Sequence, residues 1–115
     1  MRMWLVNPKK MCRQHLLGEH SELHMFAGLM RLKKGVAGFI ANNLLEPKSL
    51  KKRHYELARE MKRRGYLHRS RLNFSQKRIS YLDKTIQNYR MDRKLSQKQL
   101  LSRCRRCRAL FKRPI

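Results

Sequence analysis

Three side chains near the N-terminus, His15, Glu19 and Glu22, carry the first chemical signal of the chain. They lie in the run Gln14-His15-Leu16-Leu17-Gly18-Glu19-His20-Ser21-Glu22-Leu23. Wound as a helix at about 100° per residue, the three share one arc about 60° wide. Met11, Cys12, Phe26 and Met30 fall on that arc, and Leu16, Leu23, Ala27 and Leu29 on its shoulders. Lys10, Arg13, Ser21 and His24 take the opposite face. Two carboxylates and an imidazole therefore stand in the stripe expected to meet the core. A buried carboxylate is costly unless paired, so these groups either find partners inside the fold or form a site for proton transfer.

Metal chemistry has less support. A two-metal phosphodiesterase needs several clustered carboxylates, and outside its glutamates this chain has only Asp83 and Asp92. His20 and His24 are spaced i, i+4, but on the expected wet face, and no H-E-x-x-H is present. Cys104-x-x-Cys107 has zinc or redox spacing, yet it is a single pair on an apolar helical line, which reads as core packing. Cys104 and Cys107 are thus weak metal candidates, and Cys12 joins them only if the tertiary fold brings it there. No metal and no cofactor is expected.

Charge restricts the partner. The chain carries 30 Lys+Arg against 7 Asp+Glu, a formal net charge of +23, in 115 residues. Such a field favours a polyphosphate, bound largely by counterion release. The runs Lys51-Lys52-Arg53 and Lys62-Arg63-Arg64, with Lys10 and Arg13, are the candidate phosphate contacts. A membrane partner is not expected, because no basic helix has a long, clean apolar stripe and no apolar run approaches the roughly 18 residues of a span. Met1-Arg2-Met3-Trp4-Leu5-Val6 is too short before Asn7-Pro8 for a signal peptide. An odd cysteine number does not read as a disulfide framework, so an intracellular, reducing compartment is expected.

The elements that must position these groups read as all-α, a small single-domain bundle of three to four helices. Asn7-Pro8 opens a first helix over about 8–31, and Gly18 within it suggests something approaching the backbone closely. Pro47 opens a second helix with Leu50, His54, Leu57 and Met61 on one face, ending at Gly65. A third pattern from near Ser75 places Ile79, Leu82, Ile86 and Tyr89 together. Ser96-Gln97-Lys98-Gln99 resembles a capping box opening a last helix, with Leu100, Cys104, Cys107 and Phe111 in line.

The block Gln14-His15-Leu16-Leu17-x-Glu19-x-x-Glu22-Leu23, followed by Leu50-Lys51-Lys52-Arg53-His54-x-Glu56-Leu57 and Lys62-Arg63-x-Gly65-Tyr66, resembles the pyrimidine-dimer DNA glycosylase family of the phage endonuclease V type. The resemblance covers about residues 1–72, leaving 73–115 as a basic helical C-terminal extension. It implies a small all-α fold with the N-terminus threaded beside helix 1. It also implies a glycosylase and abasic-site lyase that uses no metal and acts on damaged double-stranded DNA as a monomer. By position, the catalytic glutamate falls on Glu22 and the nucleophile, the α-amino group of the first residue, on Met1. Arg2, His15 and Glu19 become supporting residues. Arg2 should block removal of the initiator, keeping Met1 as the terminus.

Residue chemistry agrees with that transfer. An α-amine titrates near 7.7–8.0 and a lysine near 10.4, so about a tenth or more of the α-amine is free at neutral pH, making it the better Schiff-base nucleophile. The chain departs from the family in two respects. Two helix arginines of the family are replaced by Ser21 and Met25, and its aromatic, lysine-rich C-terminal end is absent. The competing reading is a non-catalytic binder of structured RNA, such as ribosomal RNA, built on the same fold. Mere binding would not call for a carboxylate on the apolar arc.

Overall fold

The structure is a computed structural model describing residues 1–68 and 70–113. Among these residues the regular structure is entirely helical: α1 (Arg13–Arg31), α2 (Ala37–Ala41), α3 (Leu50–Arg63), α4 (Lys84–Gln87), α5 (Arg93–Arg103) and α6 (Arg105–Lys112). Short 3-10 turns at Pro8–Lys10, Pro47–Ser49 and Gln76–Ile79 connect them. None of the described helices is long and apolar enough to cross a membrane.

α1 and α3 form the centre. Leu16, Leu23, Phe26 and Met30 on α1 are buried against an apolar line of α3 made of Leu50, His54, Leu57 and Met61, as their spacing predicts. α3 stops where expected. Gly65 adopts φ 82°, and the amides of Gly65 and Tyr66 return to the carbonyls of Lys62 and Met61, so two of the orphaned carbonyls of the last turn are satisfied.

The N-terminal segment lies inside the molecule. Met3, Trp4, Leu5 and Val6 are buried, and the Met3 amide donates to the Leu44 carbonyl at 2.8 Å. Leu5 holds φ 54°, a left-handed conformation that costs a non-glycine residue roughly 1–2 kcal/mol. Its neighbours hold it there, since the Trp4 carbonyl accepts from Ser96 Oγ and the Val6 carbonyl from Arg53.

Among the described residues six helices replace the expected three or four, and the expected helices are interrupted at Cys12, Asp83 and Cys104, each of which caps the next helix with its side chain. The expected helix over 8–31 is interrupted at Met11 and Cys12. Asn7 does cap the Pro8–Lys10 turn, but Cys12 then caps α1 and turns its own amide to Cys107 Sγ, at 3.2 Å. The third pattern is divided by Asp83, which accepts the Ile86 amide, although Ile79 and Leu82 are buried as expected. The last helix begins four residues early, capped by Asp92 rather than Ser96, so Ser96 is no cap. It is fully buried within α5. That helix is broken again at Cys104, the cap of α6.

Residues 73–113 are packed into the same core as the rest. Ile79, Leu82, Met91, Leu100 and Cys107 join its apolar cluster. Buried Glu46 accepts the Met91 amide at 2.8 Å and pairs with Arg90 and Arg93, each at 3.2 Å. Gly18 does not mark a close approach, because a Cβ there would meet nothing within 4 Å.

Candidate active site

The three residues of the α1 arc separate into different environments. Glu19 is buried and receives two parallel hydrogen bonds from Arg53, at 2.7 and 2.8 Å. The third arm of that guanidinium donates to the Val6 carbonyl at 2.8 Å. Arg53, expected on the phosphate-binding surface, is therefore enclosed. Its hydrophobic position on α3 and the partner carboxylate across the interface draw it inward, and it pins the N-terminal segment between α1 and α3. A buried pair of this kind survives because both carboxylate oxygens and all three guanidinium nitrogens are hydrogen-bonded.

Glu22, one turn on, is half-buried. Its Oε2 accepts the backbone N–H of Arg2 at 3.2 Å, and among the described residues it has no cationic side-chain partner. That contact brings the chain terminus to the carboxylate, with Met1 exposed beside it. Arg2 itself points away. Its guanidinium is buried and binds Gln99 Oε1 at 2.7 Å and Ser96 Oγ at 2.9 Å on α5, lying 3.8 Å over the Trp4 ring. Burial, and then the charge of Arg103, lower its pKa to about 10 against the opposing pull of Glu19 and Glu22. Arg2 thus clamps the N-terminal segment to the C-terminal extension.

His15 is half-buried, edge-on to Trp4 with ring centroids 5.7 Å apart, and burial keeps its pKa below the usual imidazole value, against the pull of Glu22. Its Nδ1 faces sulfur: Cys12 Sγ at 3.2 Å and Cys107 Sγ at 3.9 Å. Cys104 Sγ lies 3.8 Å from Cys12 Sγ, completing a four-residue cluster. Reasoning from sequence missed this assembly, although a signal exists: Cys12-x-x-His15 repeats the spacing of Cys104-x-x-Cys107.

The histidines correct another expectation. His20 lies in the interface with α3 rather than on a wet face, because α1 is covered on that side as well. Its Nε2 is 3.1 Å from His54 Nε2 and 2.8 Å from His68 Nε2, and His24 packs edge-on against His20 and His54. Burial first, and neighbouring imidazoles second, lower His20 and His54 to about 4.

Among the other expected phosphate contacts, Arg13, Lys51, Lys52, Lys62 and Arg63 are exposed. Lys10 donates to the Leu110 and Arg113 carbonyls at the end of α6, and Arg64 to the Pro8 and Met11 carbonyls. A groove of about 440 Å³ collects six cations, Lys9, Arg13, Arg63, Arg64, Arg106 and Arg113, between the start of α1, the end of α3 and α6. This groove exists only because α6 docks there.

Fold and site define a class: small cationic all-α proteins whose N-terminus runs beside a partly buried glutamate on the first long helix. Within that class the chain belongs to the pyrimidine dimer DNA glycosylase family, whose family model matches residues 1–74. Neither the curated proteins nor the solved structures compared give a match. The family match ends before the Gln76–Ile79 turn, so α4, α5 and α6 all lie beyond it.

Proposed function

We propose that the protein is a DNA-repair glycosylase with abasic-site lyase activity, acting on pyrimidine-dimer or abasic DNA through the α-amine of Met1 and the carboxylate of Glu22. The observation that carries this reading is the 3.2 Å contact from the Arg2 amide to Glu22, one peptide from the amine. Among the described residues no ion pair joins the amine to the carboxylate, so in this reading neither group is committed to the other. Gly18 lies one turn before Glu22 on the same face, and a Cβ there would meet nothing within 4 Å, so nothing crowds that side of the helix at Gly18.

In the proposed sequence the target nucleotide leaves the base stack. The Met1 nitrogen attacks C1′ and the N-glycosidic bond breaks, releasing the base with its bonding electrons. The sugar ring then opens by cleavage of C1′–O4′, with O4′ protonated, giving an iminium between Met1 and C1′. Glu22 stabilises the positive charge and accepts the C2′ proton as the 3′ C–O bond breaks. Water then hydrolyses the imine and frees the amine. The exposed cations supply phosphate contacts in this reading, with affinity falling steeply as salt rises.

Borohydride trapping on abasic-site DNA tests it. The native chain is expected to form a covalent adduct, and an N-terminal extension to abolish it. Intact mass should show that Met1 is retained. No adduct with a native terminus overturns the proposal and leaves a nucleic-acid binder, for which co-purifying structured RNA would be the sign.

A further inference from the structure

Cys12 and Cys104 do the same thing in two places. Each is the N-cap of a helix, and the sulfur of each accepts the amide of the residue three positions on, His15 at 3.5 Å and Cys107 at 3.4 Å. The two turns face one another, so the side chains at both ends of each turn converge. Cys12 and Cys104 stand 92 positions apart in the chain, yet their sulfurs are 3.8 Å apart. All four ligand atoms lie within 4.8 Å of one another.

From these two knuckles we infer a structural zinc site made of Cys12, His15, Cys104 and Cys107. Zn–S bonds of about 2.3 Å and Zn–N bonds of about 2.0–2.1 Å require tetrahedron edges of about 3.8 Å between sulfurs and about 3.5 Å between sulfur and nitrogen. The cluster shows 3.8 Å for Cys12–Cys104, 3.2 Å for Cys12–His15 and 3.9 Å for Cys107–His15. Three sulfurs and one imidazole nitrogen are a borderline-soft, tetrahedral donor set, the pattern zinc takes.

Backbone amides point at the sulfurs. The Cys12 amide donates to Cys107 Sγ at 3.2 Å, so each sulfur receives a backbone N–H, and two of them sit at helix N-termini. Arg13, Arg105 and Arg106 flank the ligands in sequence and are exposed. Binding Zn²⁺ displaces up to three thiol protons to solvent and leaves a site of net charge −1 among cations. Four protein ligands leave no open position, so the ion's role is structural. Glu22 lies about 10 Å further along the α1 axis than His15, and the site stands whether or not the lyase reading does.

The site ties the family-matched region to the extension beyond it. Cys12 and His15 belong to residues 1–74, and Cys104 and Cys107 to the α5–α6 junction. It therefore holds α6 in place, and with α6 the basic groove.

The full chain, purified without chelator, is expected to carry one zinc per molecule, with X-ray absorption showing three sulfurs and one nitrogen. After exchange into cobalt, a thiolate-to-cobalt charge-transfer band and tetrahedral d–d bands should appear. Cys104→Ser with Cys107→Ser should remove the charge-transfer band, and His15→Cys should keep full stoichiometry and strengthen it. If the double variant does not fold, the wild-type cobalt spectrum and His15→Cys decide the matter. Substoichiometric metal with an octahedral cobalt spectrum overturns the proposal. So does metal retained undiminished by the double variant, which would point to a nitrogen-only site at His20, His54 and His68. A chain lighter by two hydrogens, from a disulfide, overturns it as well.

Discussion

Glu19 and Glu22 stand one turn apart on α1, share its inward arc, and do different work. Glu19 is closed off by Arg53, which satisfies both carboxylate oxygens and also holds Val6. Glu22 has the amide of Arg2 and no cationic side chain among the described residues. The difference lies in what packs opposite each residue. α3 presents a guanidinium to the first, and the N-terminal segment presents a bare backbone to the second. A carboxylate whose two oxygens are both held by a buried guanidinium is structure, and one left with spare capacity next to a chain terminus is, in the proposed function, the one available for chemistry.

Breaking the two residues separately should produce opposite phenotypes. The largest stability effect is expected for Glu19→Ala, which strands the Arg53 charge in the core at a cost of about 3–5 kcal/mol. Urea unfolding would measure it, and a loss below about 1 kcal/mol would mean that Arg53 finds other partners. For Glu22→Gln the midpoint should move little, while turnover on abasic DNA falls about 100-fold or more. Equal losses of stability in the two variants would erase the contrast.

His20, between the two glutamates, sharpens the comparison through pH. It and His54 are buried beside His24 and His68, with folded pKa values lowered to about 4. In the unfolded chain an imidazole titrates near about 6.5, so on acidification the unfolded state binds protons that the folded state refuses. Stability contributed by the neutral rings is complete above about pH 6.5 and declines as the pH falls from there toward about 4. The melting temperature should therefore drop between pH 7 and pH 5. It should drop less in His54→Gln, and a flat profile in the native chain would show that the rings are not held neutral.

Much of the chain was legible from local rules. The apolar line of α3, its end at Gly65, the Asn7 cap and the inward arc of α1 all follow from spacing and from capping chemistry acting within a few residues. What failed were judgements about what covers a given face. His20 reads as wet if α1 has one buried side, and it is dry because α3 and His68 close a second. Arg53 looks like part of a basic run, but a carboxylate on another helix draws it inward. Ser96 matches a capping pattern, yet Asp92 caps α5, and the Ser96 hydroxyl instead joins Trp4 to Arg2.

The sequence by itself determined an all-α chain, a cationic surface suited to a polyphosphate, and a block of residues that identifies the family. Those properties rest on composition and on intervals of three or four residues, which helix geometry translates directly into shared faces. Only the tertiary structure decided which glutamate was consumed by an ion pair and which stayed open. It alone brought Cys12 and His15 to Cys104 and Cys107, because contacts between residues 92 positions apart depend on how the intervening helices pack, and no local interval encodes that.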